Sequence, residues 1–312
     1  MNIIKELLQY NEMESKVFVP NELFEDLKKS NIKRVHIPVA YSYYYIINYL
    51  YRYTKYYETK VDNKQIKEIL GYHRDQQSID YIIKKNGELD KIGYTQTVKD
   101  FPILWEFNEF EGLQFSMLSD MDEFTQHDIK QHFSRKYSIK YPIKAFVREY
   151  DEEGNIDEEG TFYSISNTHC IPFEVFIFCM ENEKLGCTAF YLYSFISKMN
   201  DKFADGYDIS IKKLASETGI AKTTLEQYID QLNQYKMIKT IHNQPYFCLA
   251  LDPKERKSNT YIIKEFDQFT YTPRPYEKLK VIKSNEYYKM MGKESENSFS
   301  GKADISLEDL PF

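Results

Sequence analysis

The feature that most limits what this chain can fold into is an internal duplication. "VPNELFEDL" from Val19 and "IPFEVFIFC" from Ile171 share Pro20/Pro172, Glu22/Glu174 and Phe24/Phe176 at an offset of 152. Tyr41, Tyr43 and Ile46 match Tyr191, Tyr193 and Ile196 at 150, and Gly71 matches Gly219 at 148. Tyr81-Ile82 then matches Tyr228-Ile229 at 147, and Lys91-Ile92 faces Met237-Ile238 at 146. An offset that shrinks in order is what loop-length differences between two copies of one fold produce. The 312 residues leave room for both copies and a connector.

The second copy reads in order. "GCTAFYLYSFISKMN" has apolar residues at helical spacing. "GYDIS" is a short extended piece, with Ser210 placed to cap the next helix, "IKKLASETG". Gly219 can take the left-handed conformation that reverses the chain. "IAKTTLEQYIDQLNQY" makes a third helix, with Leu214, Ile220, Leu225 and Tyr228 pointing inward and Ala215 at the crossing. "MIKTI", "HNQP" and "YFCLAL" read as strand, turn and strand. That order is the winged helix. The first copy follows it more loosely: "AYSYYYIINYLYRYTK", "TKV", "NKQIKEIL", Gly71, "HRDQQSIDYIIKK", then "IGYTQTV" and "FPILWEF" as a hairpin turning at Lys99-Asp100. Its tyrosine stripe and Trp105 are expected in the core.

The expected fold class is α+β, mainly α: two winged helix-turn-helix domains in tandem, 15–112 and 169–272, joined by a helix and a β-hairpin over 113–168. "MLSDMDEFTQHDIKQHF" supplies that helix. "YSIKYPIKAFVREY" and "TFYSISN" supply the hairpin, around the acidic "DEEGNIDEEG". A basic extension, 273–293, carries Arg274, Lys278, Lys280, Lys283, Lys289 and Lys293. It could follow a phosphate backbone or pack on the second domain. The polar "ESENSFSGKAD" opens a disordered acidic tail, 294–312.

Several function classes lack their residues. Eleven glycines are few, and neither GxGxxG nor GxxxxGK[ST] occurs. Cys170, Cys179, Cys187 and Cys248 show no CxxC spacing, and the six histidines form no HExxH, so no metal, cofactor or catalytic residue is expected. No apolar run approaches the ~18 residues of a membrane span. The start lacks a secretory pattern, so a cytoplasmic protein is expected.

A helix-turn-helix offers helix N-termini to phosphates and the leading residues of its last helix to base edges. In the second copy these are Lys222, Thr223, Thr224 and Gln227, with Lys212 and Lys213 for the backbone and His242 and Asn243 at the wing tip. In the first copy they are Lys64, His73, Arg74, Gln76 and Gln77, with Lys67 behind them. Glu226 and Asp230 on the same third helix would repel phosphates. The net charge of -7 does not exclude a polyanion, because six acids sit in the "DEEGNIDEEG" loop.

The sequence closes on "ISLEDLPF". This resembles the C-terminal tip of bacterial single-stranded DNA-binding proteins, in which acids precede a hydrophobic residue, Pro and Phe. The resemblance implies a docking peptide for host replication or repair proteins: Glu308 and Asp309 for a basic rim, Leu310 and Pro311 to shape the chain, and Phe312 for an apolar pocket, about 2–3 kcal/mol. The tandem arrangement and the "IP-x-E-φ-F" lead-in also resemble replication initiators of bacterial plasmids and phages. That likeness implies duplex DNA as partner, and a homodimer formed through the first copy. The expected function is therefore a non-enzymatic DNA-binding protein in initiation or organisation of replication. A winged-helix transcriptional regulator and a protein–protein adaptor are the alternatives.

Overall fold

The computed structural model describes residues 3–291 except Glu111 and Pro253. The chain is mixed α and β with small sheets. No helix among the described residues is long and apolar enough to cross a membrane. Two compact units divide at Lys198/Met199.

The N-terminal unit contains helices α1 (Ile3–Leu7), α2 (Leu23–Lys29), α3 (Ile37–Arg52), α4 (Lys55–Thr59), α5 (Asn63–Ile69), α6 (Asp80–Ile83), α7 (Glu88–Lys91), α8 (Glu123–Gln131), α9 (Ile143–Phe146) and α10 (Phe173–Met180). Helix α11 (Gly186–Lys202) runs across the division. The strands are β1 (Lys16–Pro20), β2 (Thr95–Val98), β3 (Pro102–Asn108), β4 (Gly112–Met117), β5 (Ile139–Pro142), β6 (Val147–Tyr150), β7 (Ile156–Glu159) and β8 (Thr168–Pro172).

Helix α3 is the axis of this unit. Its tyrosines are core, as expected, and their hydroxyls find partners, with the buried Tyr44 hydroxyl the exception. Tyr43 donates to Asn63 Oδ1 at 2.6 Å, and Tyr45 to the Ile171 carbonyl at 2.8 Å. Tyr41 meets His169 Nε2 at 2.7 Å, and Tyr49 stacks on Phe173 at 3.5 Å. Trp105 is half-buried, edge-on to Tyr53. The four cysteines are free, and three are fully buried.

The units do not follow the repeat boundaries of 15–112 and 169–272. The two lead-in segments pair with each other: β1 and β8 form an antiparallel ribbon from Lys16↔Pro172 to Pro20↔Thr168. The second lead-in and α10 therefore belong to the N-terminal unit.

Two expected hairpins are replaced. Strand β2 pairs with β5 and β3 with β4, so no hairpin closes at Lys99-Asp100. Phe101 is drawn into an aromatic cluster with Phe133 and Tyr137, and its carbonyl accepts Leu118 N–H at 3.0 Å. The acidic hairpin is β6 with β7, and "TFYSISN" forms turns instead. Gly160 ends it: a Cβ there would lie 2.2 Å from the Ala145 carbonyl carbon. Arg148, side chain 1% exposed, fixes the hairpin base by bonding Glu22, the Ser166 carbonyl and Glu158.

The C-terminal unit holds β9 (Tyr207–Ile209), α12 (Ile211–Thr218), α13 (Lys222–Gln234), β10 (Ile238–Ile241), β11 (Tyr246–Phe247), β12 (Asn259–Ile263), β13 (Lys280–Val281) and α14 (Ser284–Met290). One three-stranded antiparallel sheet has the order β10-β12-β9, and β11 pairs in parallel with β13. The return strand beside β10 is thus "NTYII", not "YFCLAL". Phe247 and Cys248 are buried, and the Arg256 guanidinium lies over the Phe247 ring while donating to the Leu249 and Leu251 carbonyls.

Candidate nucleic-acid interface

The helix pair of the C-terminal unit forms for local reasons. Ser210 Oγ accepts Lys213 N–H at 3.3 Å and caps α12. Gly219 ends α12 with φ +73°, which costs a β-carbon residue energy that glycine avoids. Leu214, Leu225, Ile229 and Leu232 are buried, so α13 offers the core one stripe and solvent the other. Asn233 ties α13 to the sheet: its amide donates to the Ile229 carbonyl and Thr240 Oγ1, both at 2.8 Å, and accepts Thr240 N–H at 3.0 Å. Asn200, in the last turn of α11, brackets β12 by donating to the Tyr261 carbonyl and accepting Ile263 N–H.

On this frame Lys212 and Lys213 are exposed in the first turn of α12, with Lys213 3.8 Å from Glu217. Thr223 and Gln227 are exposed on α13, whereas Lys222 and Thr224 are half-buried. The Lys222 ammonium lies 3.7 Å from Glu226. Burial chiefly, with Asp230 adding to it and Lys222 opposing, pushes the Glu226 carboxyl up to about 6.

His242 and Asn243 are not at a wing tip. They open the long connection from β10 to β12 and are partly buried. His242 meets Asn259 Oδ1 at 3.1 Å and the Glu277 carbonyl at 3.4 Å. Asn243 donates to the Ser258 carbonyl and Thr260 Oγ1, both at 2.8 Å. Both are fasteners of that connection.

The candidates of the first copy do not form a recognition helix. His73, Arg74, Gln76 and Gln77 are exposed on turns, and the helix after them is only α6. Positions equivalent to Leu225 and Leu232 are Ser78 and Lys85, so the apolar stripe is confined to Ile79, Ile82 and Ile83 and spans little more than one turn. Lys67 instead holds the turn, donating to the Gln76 carbonyl at 2.6 Å and pairing with Asp80 at 2.5 Å. Lys64 pairs with Asp75 at 2.7 Å.

The basic extension packs on the C-terminal unit, one of its two expected readings. It packs along α13 in the opposite direction. Arg274 N–H donates to the Gln234 carbonyl at 2.8 Å, and Tyr276 Oη and Lys278 Nζ both donate to Asp230. Leu279 and Ile282 are buried, and Ile282 N–H reaches the Phe247 carbonyl at 2.9 Å. A cleft of ≈450 Å³ remains between Gln227 and Asp230 on one side and Tyr276, Leu279 and Val281 on the other. The readable signal was the apolar positions within "EKLKVIK", which charge counting passes over. Asp230 is thus not a free negative charge on α13.

The units also differ in charge. From Met199 to Met291, fifteen lysines and arginines face twelve aspartates and glutamates, net +3; residues 1–198 carry twenty-four against thirty-one, net -7. Among the described residues no cluster of His, Cys, Asp or Glu could hold a metal ion. The tip residues Glu308, Asp309, Leu310, Pro311 and Phe312, with Lys293 and the polar linker, lie outside the described residues. Comparison with protein families, with curated proteins and with solved structures finds no match for this chain.

Proposed function

We propose that this protein is a non-enzymatic, duplex-DNA-binding protein, and that its C-terminal unit with α11 is a winged helix-turn-helix. The reading rests on one observation. The order α11, β9, α12, α13, β10, β12, with the β10-β12-β9 sheet, carries exposed Lys212, Lys213 and Thr223 on the N-terminal turns of α12 and α13. The first turn of α13 meets base edges, and the α12 lysines meet phosphates. The N-terminal unit, net negative and without a long third helix, is a scaffold in this reading.

The role is initiation or organisation of replication, with Leu310, Pro311 and Phe312 recruiting host replication or repair proteins. Fluorescence anisotropy on labelled duplexes tests the DNA step. Binding should weaken steeply with salt, and Lys212→Ala/Lys213→Ala should flatten the slope by about 2 in log K against log salt. Salt-independent binding, or none, sinks the reading. A nuclease-treated pull-down with and without Phe312 tests recruitment. Equal captures by both baits leave the transcriptional regulator as the better account.

A further inference from the structure

Resting on that DNA reading, we propose that the strap Arg274–Lys283 is a fixed part of the duplex-contact surface and grips the phosphate backbone beside α13 through Arg274, Lys280 and Lys283. The strap runs beside α13 over about two turns, from Gln234 back to the level of Glu226 and Gln227. An α-helix with its side chains is about 10–12 Å across, and the major groove is about 12 Å wide. A helix with a second chain laid along its outer side cannot enter such a groove beyond its free first turn. Gln227 therefore faces the strap cleft, and base contact is limited to residues around Thr223.

The strap also changes the charge of that side. Asp230 alone would repel a phosphate, but Tyr276 and Lys278 occupy both its oxygens. Arg274, Lys280 and Lys283 remain exposed on the outside; Lys280 lies 3.8 Å from Glu286, itself half-exposed and so weakly binding. The strap is anchored at both ends by backbone hydrogen bonds and by buried Leu279 and Ile282. These anchors make it a wall, not a cover that lifts.

The test is the full-length chain carrying Arg274→Ala, Lys280→Ala and Lys283→Ala together, at positions whose side chains are exposed. Circular dichroism confirms folding. The expected result is a loss of about tenfold or more in duplex affinity near physiological salt, similar for all sequences, with the salt slope reduced by about 2–3. Unchanged or tighter binding, while Lys212→Ala/Lys213→Ala still weakens it, overturns the strap proposal and leaves the DNA reading standing. A wild-type chain that binds no duplex removes the DNA reading itself, and the strap proposal with it.

Discussion

The two units are stabilised differently. In the C-terminal unit Leu225, Ile229 and Leu232 give α13 an apolar stripe, and amides such as Asn233 and Asn200 stitch helix to sheet. In the N-terminal unit the helix at the corresponding place is only α6, and buried charges do part of the stitching. Arg148 holds Glu22 and Glu158, Lys140 holds Asp90, and Lys55 holds Glu14. The unit with the short helix is also the net negative one.

The contrast is broken most strongly at Arg148. Arg148→Met leaves part-exposed Glu22 and Glu158 without their cation and the Ser166 carbonyl without its donor, and should cost about 1–3 kcal/mol. Denaturant unfolding followed by Trp105, the single tryptophan, reads this unit. A loss under 1 kcal/mol would mean that the ion cluster is incidental.

Acid separates the units next. Burial, with help from the Lys198 charge, pushes His169 down to about 3 from an ordinary 6.5, so the folded unit keeps it neutral. That stability is present above pH 6.5 and is lost as pH falls below it. Glu226 has the opposite sign. Its folded value, about 6 against an ordinary 4.5, favours the protonated form, so its contribution fades as pH rises from 4.5 through 6. Hydrogen exchange on α3 and α13 between pH 7 and 5 should show the first loosening, with His169→Gln blunting the effect. Glu226→Gln should remove its opposing contribution at α13. Parallel pH trends in the two helices would refute the assignment.

The smallest effect sharpens the shared part. Gly71 and Gly219 both have positive φ, +81° and +73°. Replacing either by alanine should cost about 1 kcal/mol. If only Gly219→Ala destabilises, the turn of the first copy has become dispensable.

What was legible in the sequence was local. The Ser210 cap, the Gly219 reversal, α12 and α13, and the tyrosine core of α3 follow from short-range pattern and side-chain chemistry. Strand partners were not legible, because pairing is decided by packing far along the chain. Phe101 reads as a strand residue, yet it joins a buried ring cluster, and the strand that holds Phe247 pairs with the extension, not with β10. Matching Tyr81-Ile82 to Tyr228-Ile229 suggested a helix that Ser78 and Lys85 do not support. In the extension, Tyr276 and Lys278 were counted as chain and charge, while their partner Asp230 was assigned a repulsive role.

The β1–β8 ribbon has a consequence for synthesis. Its two strands leave the ribosome some 150 residues apart. At about 5–20 residues per second the first strand waits on the order of ten seconds or more for its partner. Val17, Val19 and Phe24, fully buried in the finished unit, must stay out of aggregates over that interval. A chain cut at residue 168, where the repeat invites a clean division, would carry this edge permanently unmatched.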